Sequence, residues 1–217
     1  MQVEQNFLKK GFRVSIFDFQ RWFGSFFWKF CFKIVKCFRN SKQIVLGGAP
    51  KNLQEFAGRS EEDGGLRRIN GDDFDVAKLQ GKVVLFVNVA SMCGLTPQYK
   101  DLVALQKEWE KTYPDKFTII GTPCDQFLKQ EYNDEEKIAT FCSRKYNVDF
   151  PILQSQKVNG KLRSPLYQFL IGEGDNITWN FEKILVDQDG SIPLDGDGKP
   201  IRWTPYTSVT DAKVEEK

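Results

Sequence analysis

The stretch that decides the fold runs Val83-Val84-Leu85-Phe86-Val87-Asn88-Val89-Ala90-Ser91-Met92-Cys93-Gly94-Leu95-Thr96-Pro97. Its first half is a near-continuous apolar run, which predicts a β-strand buried on both faces. Thr96 is a residue type favoured at a helix N-cap, and Pro97 suits the first helical position. The stretch therefore predicts a buried strand that leads directly into a helix.

Cys93 lies in the predicted loop between this strand and helix. The backbone N–H groups and the dipole at a helix N-terminus stabilise an anion, so this position favours a thiolate. The thiolate is the nucleophilic form of cysteine, and the end of a strand is where an α/β sheet presents reactive groups. Cys93 is therefore the candidate nucleophile, with a buried structural cysteine as the alternative.

The composition excludes several classes of function. None of the 217 residues is histidine, which excludes Ser-His-Asp and Cys-His catalysis and the usual His-ligated haem, zinc and iron sites. Cys31 and Cys37 have no other Cys pair beside them, so we expect no metal site and no cofactor. Five cysteines, an odd number, argue against a secreted disulfide framework. The net charge of +2 gives no sign of nucleic-acid binding.

Charge and aromatic residues divide the chain into two parts. Residues 1–48 hold nine Lys/Arg and two acidic residues, whereas the remainder holds 22 basic and 27 acidic residues. Ten of the 19 phenylalanines lie at or before Phe38. Gly, Pro and charged residues are frequent in residues 39–66. We therefore predict an N-terminal extension over residues 1–40, a linker over 41–66 and a catalytic domain over 67–217.

The N-terminal extension has the pattern of a basic amphipathic helix. Over residues 12–39 a narrow polar stripe recurs at spacings of three and four, and aromatic residues cover much of the rest. The favoured interpretation is a helix that lies in a membrane interface or docks on a membrane-protein complex. An organellar targeting peptide, a short signal anchor and extra core for the domain are the alternatives. The favoured location is mitochondrial and membrane-associated, with the cytoplasm or another membrane as alternatives.

The order of the predicted elements indicates the fold class. After the first strand and its helix over 97–112 come a strand at 117–120, a helix at 135–145, a strand at 180–186 and a strand near 201–203. A hairpin with a tight Asn70-Gly71 turn precedes them. This order predicts an α/β, thioredoxin-like three-layer sandwich, a central mixed sheet flanked by helices.

Three motifs carry a family resemblance. They are Asn88-Val89-Ala90-Ser91-Met92-Cys93-Gly94, then Pro123-Cys124-Asp125-Gln126-Phe127-Leu128-Lys129-Gln130-Glu131, then Trp179-Asn180-Phe181. In this order and at these spacings the set closely resembles the glutathione peroxidase family, which has a thioredoxin-like fold. The resemblance covers roughly residues 69–209. It implies that Cys93 is the peroxidatic residue and that Gln130, Trp179 and Asn180 complete a catalytic tetrad.

The chemistry of these residue types agrees with that assignment. The side-chain amides of Gln130 and Asn180 and the indole N–H of Trp179 are neutral donors. Directed at one sulfur, they would stabilise its anion without histidine and could donate to a leaving oxygen. Taken singly, each of the three would instead be interpreted as a core aromatic or a solvated loop amide.

The resemblance also implies the reaction and its partners. Cys142 matches the resolving cysteine of the two-cysteine, thioredoxin-dependent branch, whereas Cys124 lies outside the tetrad. The implied activity is reduction of hydrogen peroxide or of organic or lipid hydroperoxides through a Cys93 sulfenic acid, which Cys142 resolves. The implied reductant is a thioredoxin-type protein, or glutathione. The alternative is a peroxidase-like structural subunit of a larger, mitochondrial membrane complex with weak or no activity.

The second motif departs from the family pattern. Asp125 replaces the family's Asn, Leu128 and Lys129 replace small residues, and Tyr132 replaces Pro after Glu131. A carboxylate facing the site would disfavour the thiolate, and Lys129 would offset it. Leucine adopts a left-handed backbone conformation less readily than glycine, so we expect an altered loop.

Overall fold

The computed structural model describes residues 50–62, 64–172 and 175–207. The predicted helix of residues 1–40 and the first part of the linker lie outside these residues. The helices are α1 (Tyr99–Thr112), α2 (Glu135–Tyr146) and α3 (Pro165–Ile171), and the strands are β1 (Val83–Val89), β2 (Phe117–Pro123), β3 (Lys183–Val186) and β4 (Arg202–Trp203). Among the described residues, no helix has the length and apolar character needed to cross a membrane.

The strands form one mixed sheet in the order β2-β1-β3-β4. β1 lies parallel to β2, with Val83 opposite Phe117, and antiparallel to β3. β3 in turn lies antiparallel to β4. The predicted mixed sheet is confirmed, and β1 is a central strand because β2 and β3 bond to its two edges.

Every residue of β1 is buried because helices cover both faces of the sheet. Val83, Leu85 and Val87 point into a core that includes residues of α1 and α2. Val84 and Phe86 point the other way, into a second core formed with α3. The alternation follows from the two-residue period of a strand. The predicted three-layer, thioredoxin-like α/β sandwich is confirmed.

The segment just before the predicted domain packs onto it. Asn52 caps a short 3-10 helix, Leu53–Phe56, through a bond from the Gln54 N–H to its side-chain oxygen. Leu53 and Phe56 are each 1% exposed and belong to the core on the α3 side of the sheet. The packed domain therefore begins before residue 67, because these two apolar side chains complete that core.

Some element bounds differ from the predicted ones. β3 begins at Lys183 rather than at residue 180, because the chain turns at Phe181, which has a φ of 69°. β2 continues to Pro123, three residues beyond its predicted end. No sequence pattern predicted α3, a seven-residue helix with five buried residues. A short, almost uniformly apolar segment has no periodicity by which to assign it.

Candidate active site

The loop after β1 holds Cys93 through the side chain of Thr96. The Oγ1 atom of Thr96 accepts a hydrogen bond from the Cys93 N–H (3.0 Å) and donates one to the carbonyl oxygen of Ala90 (2.8 Å). Thr96 itself is the first residue of a 3-10 turn, Thr96–Gln98, which runs into α1. The prediction that Thr96 caps the helix is therefore wrong: its hydroxyl closes the loop around Cys93 instead.

The Cys93 side chain is nearly covered, with 8% of the residue exposed. The backbone N–H of Leu95 lies 3.4 Å from its Sγ and donates to it. Within the part of the chain that the structure describes, this is the one hydrogen bond to the sulfur. One backbone N–H just before the helical segment therefore contacts the sulfur, and the prediction that this position favours the thiolate stays a prediction.

The second motif lies against this loop through Gln130. The Met92 N–H donates to the Gln130 carbonyl oxygen (2.9 Å), which ties the residue before Cys93 to the residue with the predicted catalytic amide. The side-chain Nδ2 of Asn180 donates to the Gln130 Oε1 (3.1 Å). The fold therefore brings Gln130 and Asn180 together beside the Cys93 loop, although they are 50 residues apart in the chain.

Trp179 lies where the two cores meet. It is half-buried and packs against both of them, and its ring centroid is 5.5 Å from that of Phe127. The carbonyl oxygen of Trp179 accepts a bond from the Asn88 Nδ2 (3.0 Å), and the Asn88 Oδ1 accepts one from the Glu182 N–H (2.9 Å). The roles of Gln130, Trp179 and Asn180 toward the sulfur stay predictions.

Asn88, the first residue of the first motif, holds the backbone on both sides of Asn180, a role that the sequence did not predict. It is 1% exposed within β1, where its side chain bonds to the backbone on both sides of Asn180. An amide in the middle of an apolar strand was the available signal, since buried polar groups are normally hydrogen-bonded.

The replaced residues of the second motif keep an unusual backbone. Leu128 and Lys129 both adopt the left-handed region, with φ values of 53° and 52°. Leu128 is also 77% exposed. The loop thus retains a conformation suited to glycine without having one, at a cost of roughly 1–2 kcal/mol per residue.

The carboxylate of Asp125 is paired with a lysine. Its Oδ1 lies 2.5 Å from the Nζ of Lys157, and both side chains are close to half exposed. An exposed, paired carboxylate has only a screened influence on a buried thiol. This geometry reduces the disfavouring effect that the sequence suggested.

The other two described cysteines lie on opposite faces of the sheet. Cys142 projects from α2 into the same core as Cys93, whereas Cys124 belongs to the opposite core. The Cys142 thiol donates to the Tyr99 hydroxyl (3.4 Å). Burial raises the pKa of both Cys124 and Cys142 to about 11. The fold therefore groups Cys93 with Cys142 and separates Cys124 from them.

The family model for glutathione peroxidase matches residues 63–171. The chain belongs to the glutathione peroxidase family. The family's fold is the one described above, and membership makes the chain a peroxidase-type oxidoreductase.

Relatives within the family are closely similar. The chain is 52% identical to the hydroperoxy fatty acid reductase Gpx2 of Synechocystis over 151 residues, which is 69% of this chain and 91% of that protein. It is 48% identical to the glutathione peroxidase-like peroxiredoxin HYR1 of Saccharomyces cerevisiae over 128 residues, 56% of this chain and 77% of that protein. The crystal structure of T. cruzi GPX1 matches with a TM-score of 0.53 and 28% identity, covering 74% of this chain and 91% of that one.

Proposed function

We propose that this family member is a thiol peroxidase with Cys93 as its peroxidatic residue. The Cys93 thiolate attacks one oxygen of a hydroperoxide, the O–O bond breaks, and water or an alcohol leaves after taking up a proton. The sulfur becomes a sulfenic acid. Cys142 then resolves the sulfenic acid as a disulfide, which a dithiol reductant returns to two thiols.

The observation that carries this proposal is the junction of the three motif loops. The Gln130 carbonyl oxygen accepts a bond from the N–H of Met92, the residue before Cys93, and the Gln130 Oε1 accepts one from the buried side-chain amide of Asn180. Neutral amides in a covered site can stabilise developing charge on sulfur and oxygen without being protonated or deprotonated themselves. In a chain without histidine, this junction supports peroxide chemistry at Cys93.

The place of Cys142 supports its resolving role. Cys142 and Cys93 border one core, but Cys142 lies in the middle of α2. The helix must unwind locally for the two sulfurs to bond, because a disulfide needs Cα atoms within about 7 Å and correctly directed Cβ atoms. Cys93 and Cys142 are both free thiols on the same side of the sheet, and local unwinding of α2 would let them pair.

Relatives support the choice of substrate and reductant. One relative is named as a hydroperoxy fatty acid reductase, and another, from Escherichia coli, as a thioredoxin/glutathione peroxidase, 39% identical over 152 residues. We infer that the present chain reduces hydrogen peroxide and organic or lipid hydroperoxides, with a thioredoxin-type protein as its main reductant. Glutathione is the competing reductant.

Three matched cysteine variants test the proposal. In an assay that couples peroxide consumption to thioredoxin, thioredoxin reductase and NADPH, Cys93→Ser should lose turnover. Cys142→Ser should lose turnover yet still consume one equivalent of peroxide, because Cys93 is oxidised once and not resolved. Cys124→Ser is the control, since Cys124 is equally buried but lies on the opposite face of the sheet. Parental turnover in Cys93→Ser contradicts the proposal, and parental turnover in Cys142→Ser removes Cys142 from it.

We also propose that residues 12–39 associate the enzyme with a mitochondrial membrane. The basic, aromatic and amphipathic pattern of that segment supports this proposal. Fractionation of the native protein, with N-terminal sequencing, should place it in a mitochondrial membrane fraction. Stoichiometric co-purification with a membrane complex, without peroxidase activity, would instead favour the alternative of a structural subunit.

A further inference from the structure

Glu182 is a buried carboxylate that no step of the proposed reaction uses. Among the described residues the fold buries two glutamates, Glu131 and Glu182, and Glu182 is only 2% exposed. Glu131 accepts a bond from the Ser91 N–H (3.1 Å) in the loop that leads to Cys93. Glu182 directly follows the third motif. A buried carboxylate is costly unless it is hydrogen-bonded and its charge is compensated, so its partners indicate what it holds in place.

The side chain of Glu182 closes the turn that carries two predicted donors. Its Oε2 accepts two hydrogen bonds from Thr178, one from the backbone N–H and one from the hydroxyl group (both 2.9 Å). These bonds join residues four positions apart, so Trp179 and Asn180 lie inside the turn that they close. We call residues 178–182 the donor turn.

An ion pair compensates the charge of Glu182. Its Oε1 lies 3.4 Å from the Nη1 of Arg202 in β4. Arg202 also pairs with Asp175 through its Nη2 (3.0 Å). Hydrogen bonds to an ionised acceptor are stronger than those to a neutral one. The carboxylate is therefore a stronger anchor for the donor turn than a neutral side chain would be, and β4 supplies the cation that makes its burial tolerable.

The donor turn has a strained backbone. Phe181 has a φ of 69°, in the left-handed region, which is unusual for a bulky residue. Its ring is fully buried and meets the ring of Tyr99 edge-on, with centroids 5.6 Å apart. Its N–H donates to the carbonyl oxygen of Asn88 (2.6 Å). Such a conformation persists only where the surrounding contacts determine it, and it is found preferentially at functional sites.

We propose that Glu182 fixes the donor turn so that the side-chain N–H groups of Trp179 and Asn180 meet the leaving oxygen of the peroxide. The inference rests on the proposed function, in which Cys93 attacks that peroxide. Glu182 does not touch the reacting atoms, so it is a positioning residue. Donors stabilise developing charge only when they are already in place, and a displacement of about 1 Å can slow a reaction about 100-fold.

Two reagents that attack the same thiolate separate positioning from a general loss of structure. The reduced full chain reacts with hydrogen peroxide in one series and with iodoacetamide in another, and mass spectrometry of the Cys93 peptide gives both rates. Both reagents need the thiolate, but only peroxide releases an oxygen that the donors must reach. The ratio of the two rates therefore reports on the donors and not on the ionisation or exposure of the thiol.

Two substitutions of Glu182 separate its oxygen from its charge. Glu182→Met removes the acceptor of both Thr178 bonds, while Arg202 keeps Asp175 as a partner. Its ratio of peroxide rate to iodoacetamide rate should fall about 100-fold. Glu182→Gln keeps a side-chain oxygen that can accept both bonds, so its ratio should stay within about threefold of the parental ratio. Thr178→Val loses only the hydroxyl bond and should lower the ratio roughly fivefold.

Asp189→Ala is the matched control. The Asp189 Oδ1 likewise accepts bonds from the N–H and the hydroxyl of one residue, Ser191 (2.9 and 2.6 Å), in the turn beyond the other end of β3. This variant should keep the parental ratio. If Glu182→Met does not fold, Thr178→Val decides.

The outcomes distinguish the inference from the function on which it rests. A parental ratio in Glu182→Met, or in Thr178→Val where that variant decides, overturns the inference alone. An equal fall in Glu182→Gln and Glu182→Met also overturns it, because the oxygen acceptor would then not be what holds the turn. A parent whose Cys93 reacts with peroxide no faster than free cysteine overturns the proposed function together with the inference.

Discussion

Raising the pH from about 7 to about 8.5 should stabilise the folded domain, and a buried lysine is the reason. Lys183 in β3 has no exposed surface. Its Nζ donates to the Oε1 of Gln98 (2.5 Å) and to the carbonyl oxygens of Thr207 (2.7 Å) and Pro205 (3.4 Å). These three acceptors are neutral, so they satisfy the donors of the ammonium group without compensating its charge.

The size of the effect follows from the shifted pKa. Burial lowers the pKa of Lys183 from 10.5 to about 7, although the charges of Asp101 and Glu182 act in the opposite direction. Between about pH 7 and 10.5 the folded chain binds fewer protons than the unfolded chain, so the free energy of unfolding rises with pH. Integrated from about pH 7 to about pH 8.5, this one group contributes roughly 1.5 kcal/mol.

The perturbation that isolates this contribution is Lys183→Met. The variant loses three hydrogen bonds, so its absolute stability will differ, and the informative quantity is the change in its free energy of unfolding with pH. Urea unfolding followed by tryptophan fluorescence at both pH values gives that quantity. The parent should gain roughly 1.5 kcal/mol more than the variant. Lys116→Met, at an exposed position, is the control and should keep the parental pH dependence.

Parallel pH dependence in the parent and in Lys183→Met would refute the reasoning, because it would mean that Lys183 has the same pKa in the folded and unfolded states.

The measurement should stop at about pH 8.5, because two buried cysteine thiols change the stability in the opposite direction at higher pH. Burial raises the pKa of Cys124 and Cys142 to about 11, so the unfolded chain loses these thiol protons first. Their contribution to stability is present below about pH 9 and is lost as the pH rises toward 11, opposite in sign to that of Lys183.

Three further substitutions test individual features. Leu128→Gly should leave stability unchanged or raise it by up to about 1 kcal/mol in urea unfolding, because the relieved left-handed strain exceeds the added chain entropy of glycine; a clear loss would contradict this. Gly121→Ala should lower the free energy of unfolding by about 1–3 kcal/mol, since a Cβ there would lie 2.4 Å from the Cδ1 of Ile152. An unchanged urea midpoint would argue against that packing. Asp125→Asn should change the rate of Cys93 oxidation by less than about twofold in stopped-flow measurements, because Asp125 pairs with Lys157; a large acceleration would mean that its charge acts on the site.

Local sequence patterns predicted much of the frame. The apolar run of β1 predicted a strand covered on both faces, and all seven of its residues are buried. Asp134 caps α2 through bonds from two backbone N–H groups, so the predicted start of that helix at Glu135 is confirmed. These features depend on propensity and periodicity, which the chain carries in each short segment.

Only part of the candidate site could be predicted from neighbouring residues in the sequence. Cys93 was found from its neighbours in the chain, but the contact between Gln130 and Asn180 joins loops 50 residues apart. Thr96 shows why local patterns were not sufficient, because its hydroxyl can either cap a helix or bond within the loop before the helix. In the structure the hydroxyl donates to the Ala90 carbonyl oxygen, so it stabilises the loop. α3 depends in the same way on the core that surrounds it.

The sequence by itself determined the strand-to-helix frame, the family and the types of reactive group available at Cys93. Only the tertiary structure determined that Lys183 and Glu131 are buried, since charged side chains are normally exposed and no pattern along the chain marks these two. Burial results from residues distant in sequence that exclude water together, and desolvation then changes the chemistry of the group. Segment-by-segment patterns specify which groups are present, whereas packing specifies their protonation and their partners.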